Sequence, residues 1–502
     1  METALFLKKE KLISCFFFAL IFVFLFVFFT VVHPLVPYDG DDWTYLSYMR
    51  QAVPKWGAWN PTRVFAECFA PIIGFIAAFL VSPLIGDYIR SVTITTSIVM
   101  SAIITAYIWL FYRIVYHKSG SNYIGLQVAA VFFLFHFLVF KSKPDGNQYM
   151  FWTANYCCLY YYLIPSLMNC SLVLLLMDEG KLTSLFERLT PVKCGFLALW
   201  LYCAIFSSVF HSAIFMVYIG LYSLIDLYLT RPFDKQRFLE FIKEHRIEIA
   251  VLILWLIALV FEANGGRANS IGKSIWQLPF GETAKAGKVL LKSFSKVFLA
   301  LSGVVLLGAI YQSWRMRKLK PDEAKSFYLH IGFAIVCGLL LCLYLFMLCS
   351  KASTGYFGRS DVIHGCIFYL FVSISISLAF VLKNCDECIK VLPVFTFVVF
   401  IASLNSNHGL RESTMWNIPP AVCYEVDHDL MNQIIEADRA GVKEMTLVVP
   451  RGDNRDNWPH PNYMGARIWQ TMYRHSLIHR QFKIKIKPDV NMNKKYNLPI
   501  LK

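Results

Sequence analysis

The feature that most constrains this chain is a series of apolar runs, each about as long as a membrane is thick. An apolar run of roughly 18 or more residues forms a helix that crosses the ~30 Å hydrocarbon core of a bilayer. Because 57% of the 502 residues are hydrophobic and only 16% are charged, a water-soluble fold would lack the polar residues to cover its surface. The sequence therefore predicts an α-helical polytopic membrane protein. The apolar runs, a few of them short, lie at residues 12–32, 64–84, 91–112, 123–140, 155–177, 195–208, 210–229, 249–262, 289–311, 327–349, 362–382 and 391–404.

The first apolar run follows three lysines, Lys8, Lys9 and Lys11. This run is too long for the apolar core of a signal peptide, and no small-residue cleavage site follows it. We therefore expect it to stay in the protein as a signal anchor, with the N-terminus in the cytoplasm.

Lysine and arginine residues between the later runs predict the orientation of the chain, because cytoplasmic loops carry an excess of them. If one of the runs 64–84, 91–112 and 123–140 does not cross, the cytoplasmic loops hold about 20 of these residues against about 13 outside. If all three cross, the numbers reverse. We predict about eleven crossings of the inner (plasma) membrane, with a cytoplasmic N-terminus and an extracytoplasmic C-terminus. The residues do not indicate which of the three runs fails to cross.

The formal net charge of +15 has the same explanation. The basic residues lie largely in short loops, where they set topology. No basic stripe interleaved with aromatic residues occurs outside these loops. Nucleic acid is therefore not an expected partner.

A polar tail divides the chain into two regions at about residue 405. Residues 1–404 form the predicted multi-pass transmembrane domain, and residues 405–502 form a small soluble domain outside the membrane. In the tail, 427–440 has the pattern of an amphipathic helix that a glycine ends. Residues 445–449 and 482–486 have the patterns of strands. The tail therefore predicts a small α/β extracytoplasmic C-terminal domain.

The first outer loop, residues 33–63, contains three carboxylates, at Asp39, Asp41 and Asp42. Carboxylates this close repel one another, which raises the pKa of at least one of them unless a cation or hydroxyl compensates. Such a carboxylate suits a general base, which takes the proton from a sugar hydroxyl as it attacks an anomeric carbon. The alternatives are a solvated acidic turn or an N-cap for the helix that follows.

A second candidate stretch is rich in aromatic residues and contains Trp152, Asn155, Tyr156 and Tyr162. Aromatic side chains stack on the apolar faces of pyranose rings, which would make this stretch a sugar site. Aromatic residues at the end of a span also form the ordinary interfacial belt of a membrane protein. Both interpretations stay open.

A third candidate stretch, Asn264-Gly265-Gly266-Arg267, directly follows a predicted span. A pair of glycines lets the backbone approach a ligand closely, and arginine presents a fork of donors that fits phosphate oxygens. The alternative is a glycine-rich turn with a solvated arginine.

Arg359 and His211 are two further candidates. Arg359 lies two residues before Asp361, so it either pairs with this carboxylate or faces a second phosphate. His211 lies between two short predicted spans, where it forms either the polar floor of a site or a satisfied residue of the helix bundle.

The order of these motifs resembles that of the GT-C superfamily, membrane glycosyltransferases that use polyprenyl-phosphate-linked sugars. The chain is most similar to bacterial members that decorate O-antigen or another surface polysaccharide. It departs from the family pattern in lacking a proline before Asn264 and an acidic residue near His211. The matching elements are the anchor span, Asp41-Asp42, Arg63-Val64-Phe65, Phe151-Trp152-Thr153 through Tyr162 and Pro165, Asn264-Gly265-Gly266-Arg267, and Arg359.

The resemblance implies a hexosyltransferase that moves a sugar from a polyprenyl-phosphate donor to an O-antigen, lipopolysaccharide or similar glycan acceptor. It implies Asp41 or Asp42 as the catalytic base, and the same two residues as ligands if a divalent metal, Mg²⁺ or Mn²⁺, takes part. It implies that the donor phosphate is held by Arg63, Arg267 and Arg359. It implies sugar or acceptor contacts from Trp43, Tyr45, Trp59, Trp152, Asn155, Tyr156, Tyr162, His211 and Asn264.

Two other functions stay open. A polysaccharide polymerase also transfers lipid-linked glycan outside the cell membrane. A flippase or transporter of lipid-linked glycan is expected to carry ionisable residues deep in its spans and broken helices repeated in two halves. The sequence contains few such charges and no clear repeat, so the transferase is the preferred prediction.

Overall fold

The protein is described by a computed structural model that covers residues 2–37, 40–141, 149–153, 155–229, 234–271, 277–406, 418–452 and 461–500. Asp39 of the predicted acidic cluster lies outside the described residues. Up to residue 229 the helices are α1 (Glu2–Val27), α2 (Gly40–Tyr45), α3 (Val64–Ile76), α4 (Ser82–Ile85), α5 (Tyr88–Ser119), α6 (Asn122–Leu138), α7 (Tyr156–Cys158), α8 (Ile164–Glu179), α9 (Leu182–Arg188), α10 (Pro191–Ile205) and α11 (Val209–Leu229).

The second half of the chain adds further helices and a pair of strands. The helices are α12 (Lys235–Glu244), α13 (Arg246–Ala263), α14 (Gly266–Ile271), α15 (Phe280–Lys292), α16 (Lys296–Met316), α17 (Pro321–Ala352), α18 (His364–Lys383), α19 (Asp386–Ser406), α20 (Pro420–Arg439), α21 (Pro461–Arg474) and α22 (Val490–Lys495). The strands are β1 (Glu444–Pro450) and β2 (Lys483–Asp489). Short π-helical turns, Phe28–Val32, Ala77–Val81 and Leu159–Leu163, extend α1, connect α3 to α4, and connect α7 to α8.

Nine helices of the described part are long and apolar enough to cross a membrane. Two shorter apolar helices, Asn122–Leu138 and Pro191–Ile205, accompany them. Helices satisfy their backbone hydrogen bonds internally, which a segment within hydrocarbon requires. The chain is thus an α-helical multi-pass membrane protein, as its apolar runs predict.

The helix ends gather at two opposite ends of the bundle. We call the end that carries residues 40–63 the site end, and the end that carries residues 180–190 the basic end. Backbone hydrogen bonds from Phe65 N to Phe206 O (2.9 Å) and from Gly266 N to Ala58 O (2.9 Å) join loops at the site end. Side-chain contacts that join the basic end are Ser14 with Asn122 (3.0 Å), Arg113 with Asp178 (2.8 Å) and Lys181 with Asp226 (2.9 Å).

The apolar segment Val64–Ile85 runs along the site end, although it is long enough to cross. Its middle packs on the first loop, because Gly74 lies directly against the backbone of Leu46. The ring of Phe75 contacts His475 of the C-terminal region, with centroids 4.9 Å apart. Asp87, two residues after the end of this segment, accepts a hydrogen bond from Tyr424 of the C-terminal region. Both ends of this segment therefore lie at one end of the bundle.

The C-terminal region contains helices α20, α21 and α22 and strands β1 and β2, and one helix and both strands lie close to the positions that its pattern predicts. Helix α20 begins earlier than the predicted residue 427, and Gly441, with φ of 67°, follows its end. Strands β1 and β2 pair in parallel with Glu444 opposite Lys483. β2 occupies Lys483–Asp489 instead of the predicted 482–486, since the pairing with β1 continues to its last residue.

The close approach of Gly74 to Leu46 gives a first prediction. A Cβ at position 74 would collide with the Leu46 carbonyl oxygen, and neither backbone can move without disturbing a helix. We expect Gly74→Ala to destabilise the protein by about 1–3 kcal/mol, the usual cost of overpacking. The measurement is the thermal unfolding midpoint of the purified protein in detergent.

Gly303→Ala is the matched control for this prediction. A Cβ at Gly303 meets open space, and alanine is a better helix former than glycine. The unfolding midpoint of Gly303→Ala should equal or exceed that of the wild type. An equal midpoint for Gly74→Ala would mean that α3 does not pack on the first loop.

Candidate functional site

The start of the helix Tyr156–Glu179 is the centre of the site end. Asn155 precedes this helix and accepts a hydrogen bond from Cys158 N at 3.3 Å. Asp42, which is fully buried, accepts one from Cys157 N at 2.6 Å. Free N–H groups and the positive end of the helix dipole favour a carboxylate at this place. Asp42 therefore caps a helix that lies far from it in sequence.

Arg63 is buried and lies on two aromatic rings. It is 7% exposed, and its guanidinium carbon lies 5.0 Å from the ring centroid of Tyr161 and 5.8 Å from that of Tyr162. The carboxylate of Glu262 accepts a hydrogen bond from the Thr62 hydroxyl at 2.8 Å. Among the described residues, no carboxylate lies within the 4.0 Å of an ion pair with Arg63. A buried cation without a paired anion is uncommon in proteins.

Arg359 shares one of these two rings, Tyr162, with Arg63. Its guanidinium lies 4.8 Å from the Tyr162 centroid and donates to the buried carboxylate of Asp361 through Nε (3.0 Å) and Nη2 (2.6 Å). Nη2 also donates to Cys158 Sγ at 3.4 Å. Arg359 therefore has the structural pairing with Asp361 that is one of its two predicted roles.

His211 lies beneath this pair in the first turn of α11. Its Nε2 donates to the backbone carbonyl of Asp361 at 2.8 Å, and its ring lies 5.8 Å from that of Tyr162 in an edge-on arrangement. The side chain is fully buried. His211 therefore supports the backbone that carries Arg359 and forms part of the floor of the site.

Arg267 reaches the cluster through Tyr356. Its Nη2 donates to the Tyr356 hydroxyl at 2.8 Å, and the Tyr356 ring also lies 5.4 Å from the guanidinium of Arg359. The backbone N–H of Arg267 donates to the carbonyl of Trp59 at 3.1 Å. The glycine pair before Arg267 permits this approach, because a Cβ at Gly266 would lie 3.2 Å from the Trp59 ring.

A group of acidic residues and tyrosines borders the arginines. The rings of Tyr45 and Tyr161 lie 4.8 Å apart, and the Tyr161 hydroxyl donates to Glu67 at 3.3 Å. Glu67 also pairs with Arg50 at 3.2 Å. Burial raises the pKa of Tyr45 to about 12, and the negative charges of Glu67 and Asp41 add to the shift. Asp41 and the arginines are thus connected through Tyr45 and Tyr161.

The cluster therefore includes five of the predicted site residues. Arg63, Arg267, Arg359, Tyr162 and His211 contact one another directly or through one tyrosine. We call these residues, together with Tyr161 and Tyr356, the arginine–tyrosine cluster.

The other predicted sugar-binding residues lie elsewhere or have other contacts. Trp43 is fully buried and stacks on Tyr88, with centroids 6.1 Å apart. Tyr156 shares a hydrogen bond with Thr96 at 2.7 Å inside the bundle. Asn264 donates to the carbonyl of Val260 in its own helix. Trp152 is partly buried, and the indole of Trp59 is 60% exposed beside the Arg267 loop.

Glu67 and Tyr356 belong to the site but were not among the predicted site residues. Glu67 lies on α3, four residues after Arg63, which immediately precedes the helix, and this spacing puts two side chains on the same side of a helix. This spacing could have indicated from the sequence that Glu67 lies beside Arg63. Tyr356 lies in an isolated helical turn, Thr354–Gly358, and only the fold directs its ring to the arginines.

The described residues gather three candidate metal ligands at one place, Asp226, Glu244 and His245. This group belongs to the basic end, away from Asp41 and Asp42. The ammonium of Lys181 already contacts both carboxylates, at 2.9 and 2.7 Å. The group is therefore a compensated ion-pair cluster, and the predicted use of Mg²⁺ or Mn²⁺ at the aspartates stays a prediction.

An apolar cavity of about 490 Å³ adjoins the arginine–tyrosine cluster. It lies between α15, α17 and α18, and its lining includes Phe357 and Lys288. Phe357 follows Tyr356 in the same helical turn, so adjacent residues border the cavity and the cluster. The cavity is partly open to the surface of the protein.

The C-terminal region covers Asp42 and Trp43. The hydroxyl of Thr471 donates to the Trp43 carbonyl and shares a hydrogen bond with Ser47 at 2.8 Å. Asp427 of α20 is fully buried here, and burial, together with the charge of Asp42, raises its pKa well above the usual range. No described group forms a hydrogen bond with the Asp427 carboxyl, and the N–H of the nearby Trp43 indole has no partner either.

No protein-family model, curated protein or solved structure matches this chain. The fold by itself defines the class of protein, an α-helical membrane protein with several spans. What the arginine–tyrosine cluster does has to follow from its chemistry.

Asp427 gives a prediction about pH. In the unfolded chain an aspartate titrates near pH 4, whereas folded Asp427 keeps its proton to a much higher pH. Between these limits the folded protein binds one proton more, so its stability falls as pH rises, by up to about 1.4 kcal/mol per pH unit. Asp427→Asn removes this slope. We expect the unfolding midpoint between pH 5 and 8 to fall with pH for the wild type and to fall less for the variant.

Two comparisons make this prediction specific. The hydrogen bond from Tyr424 lowers the pKa of Asp87 in spite of burial. The stability that ionised Asp87 contributes is therefore lost only as pH falls below about 4. Asp386→Asn, a change at an exposed aspartate, should leave the wild-type slope intact. Equal slopes in the wild type and Asp427→Asn would contradict the burial of an unpaired carboxyl.

Proposed function

We propose that this protein is a membrane glycosyltransferase that moves a sugar from a polyprenyl-phosphate donor to a cell-surface glycan on the outer face of the inner membrane. One observation carries the proposal. Arg63 is buried on two tyrosine rings, and no carboxylate forms an ion pair with it among the described residues. Such a charge is stabilised when an anion binds beside it. The phosphate of a lipid donor is an anion that arrives at this depth of a membrane.

The neighbouring residues support a phosphate in particular. Arg359 lies over the same Tyr162 ring as Arg63, with its Nε and Nη2 donors held by Asp361, and Arg267 donates to the hydroxyl of Tyr356. Arginine binds phosphate oxygens through two parallel donors. The polyprenyl chain needs an apolar groove next to its phosphate, and the 490 Å³ cavity beside Phe357 has this character.

We assign the general base to Asp41 rather than Asp42. Asp42 is fully buried and holds the Cys157 N–H, which leaves it poorly accessible to an acceptor sugar. Asp41 is partly exposed and acts electrostatically on Tyr45 at the edge of the cluster. In the proposed reaction, an acceptor hydroxyl oxygen attacks the anomeric carbon and the bond from that carbon to the phosphate oxygen breaks. Polyprenyl phosphate leaves, and Asp41 takes the hydroxyl proton.

We further propose eleven crossings with the N-terminus in the cytoplasm. Val64–Ile85 is then the early segment that does not cross, because both of its ends contact the site end. The remaining helices, including the short α6 and α10 and the charged α13, would alternate in direction. This arrangement agrees with the excess of Lys and Arg at the basic end, and it exposes the site and the C-terminal domain to the outside.

Lipid binding tests the assignment of the arginines. The probe is undecaprenyl phosphate, the leaving lipid of the proposed reaction, measured by native mass spectrometry of the full chain. We expect Arg63→Gln to weaken binding by about tenfold or more, since a charge-assisted hydrogen bond contributes about 1.5–3 kcal/mol. Arg315→Gln, a change at an exposed arginine of the basic end, is the control. Unchanged binding by Arg63→Gln would refute the phosphate site.

Asp41→Asn and Asp42→Asn separate the two aspartates. We expect Asp41→Asn to abolish the glycan modification in cells while undecaprenyl phosphate still binds, because the base is lost and the arginines remain. Asp42→Asn should lower the unfolding midpoint, because the cap of α7 is weakened. Full activity of Asp41→Asn in a properly inserted protein would end its assignment as the base.

Mass analysis of the glycan distinguishes the alternatives. Loss of a side-branch sugar in a deletion strain favours the transferase, whereas loss of chain length favours a polysaccharide polymerase. If the protein is instead a flippase or transporter, its deletion should leave the lipid-linked sugar on the cytoplasmic leaflet.

Cysteine labelling tests the topology. A membrane-impermeant maleimide applied to intact spheroplasts should label Trp56→Cys and Arg90→Cys above the background of the unchanged chain. Arg315→Cys should be labelled only after lysis. Labelling of Trp56→Cys without Arg90→Cys would mean that Val64–Ile85 crosses the membrane.

A further inference from the structure

A second cavity, of about 420 Å³, lies at the basic end, at the opposite end of the bundle from the arginine–tyrosine cluster. Three helices enclose it: α5 and α18, which end here, and α17, which begins here. All three belong to the group that is long and apolar enough to cross a membrane. The cavity therefore lies where helices leave the hydrocarbon core.

The lining of this cavity changes from charged to apolar along each helix. Lys118 lies at the end of α5 and Ile114 one turn deeper, roughly 6 Å along the axis. On α18, Lys383 is followed inward by Phe380. On α17, the charged residues come first and Phe327 follows, with its ring stacked on Phe380 at 4.2 Å. A phospholipid has the same sequence of polarity, from headgroup to acyl chain.

The charged rim carries both signs. Lys118 and Lys383 come from different helices, and neither forms an ion pair within the described part of the chain. Asp322 and Glu323 lie on the third helix, where Glu323 contacts Lys320 at 3.4 Å. The rim thus offers two ammonium groups to a phosphate and the Asp322 carboxylate to a cation.

We propose that this cavity binds one molecule of phosphatidylethanolamine from the adjacent leaflet. The two lysines contact the phosphodiester, and Asp322 accepts a hydrogen bond from the primary ammonium. Phosphatidylglycerol has a phosphate but no cation for Asp322, and the quaternary nitrogen of phosphatidylcholine has no N–H to donate. The inference requires only that the protein spans a membrane, so it stands independently of the proposed transferase activity.

The test measures how lipids of identical acyl chains stabilise the delipidated full-length protein in detergent. We expect phosphatidylethanolamine to raise the unfolding midpoint more than phosphatidylglycerol or phosphatidylcholine. Native mass spectrometry should retain one phosphatidylethanolamine per protein. The double variant Lys118→Gln/Lys383→Gln should weaken its binding by about tenfold.

Two further variants keep the result interpretable. Asp322→Asn, a change at an exposed residue, should remove the preference for phosphatidylethanolamine over phosphatidylglycerol and leave phosphate binding intact. Lys390→Gln changes an exposed lysine near the start of α19, outside the cavity, and should bind as the wild type does. Equal stabilisation by all three lipids, or an unchanged preference in Asp322→Asn, would overturn the proposal. If the double variant fails to fold, Asp322→Asn alone decides.

Discussion

Hydrocarbon can neither hydrogen-bond a peptide group nor solvate an ion, and this constraint organises the whole chain. Helices satisfy their own backbone, so charged groups collect where helices end. At the basic end many of these charges are paired, as Arg113 with Asp178 and Lys181 with Asp226 illustrate, although Lys118 and Lys383 form no ion pair among the described residues. At the site end Arg63 is held by tyrosine faces instead of a carboxylate. The site end therefore contains a buried arginine that no described carboxylate pairs, beside the paired Arg359.

The tyrosine rings stabilise the buried arginines of the arginine–tyrosine cluster without neutralising their charge. A guanidinium over a tyrosine face gains about 0.5–2 kcal/mol, less than a buried ion pair supplies in Coulomb attraction. The positive charge of Arg63 thus remains available to an incoming anion. Arg359 is different, because Asp361 holds its fork in a fixed direction. Arg63 therefore has no ion-pair partner among the described residues, whereas Asp361 fixes the direction of Arg359.

The adjacent aspartates also have different environments. Asp42 points inward to the start of α7 and is covered by the C-terminal region, whereas Asp41 is partly exposed beside Tyr45. Helical geometry causes this, since neighbouring residues of α2 point about 100° apart. The burial of Asp427 against Asp42 then links the docking of the C-terminal region to the ionisation of a carboxyl.

The sequence by itself determined the membrane class, the helix and strands of the polar tail, and the residue types of the candidate site. These properties follow from local patterns: long apolar runs, alternation along a strand, and a glycine after a helix. Only the tertiary structure decided that Val64–Ile85 runs along the site end, because an apolar run of that length looks the same whether it crosses or lies flat. It also decided that Trp43 and Tyr156 are packed away while Tyr161, Tyr356 and Glu67 join the arginines. Such choices depend on contacts between residues far apart in the chain, which no local pattern records.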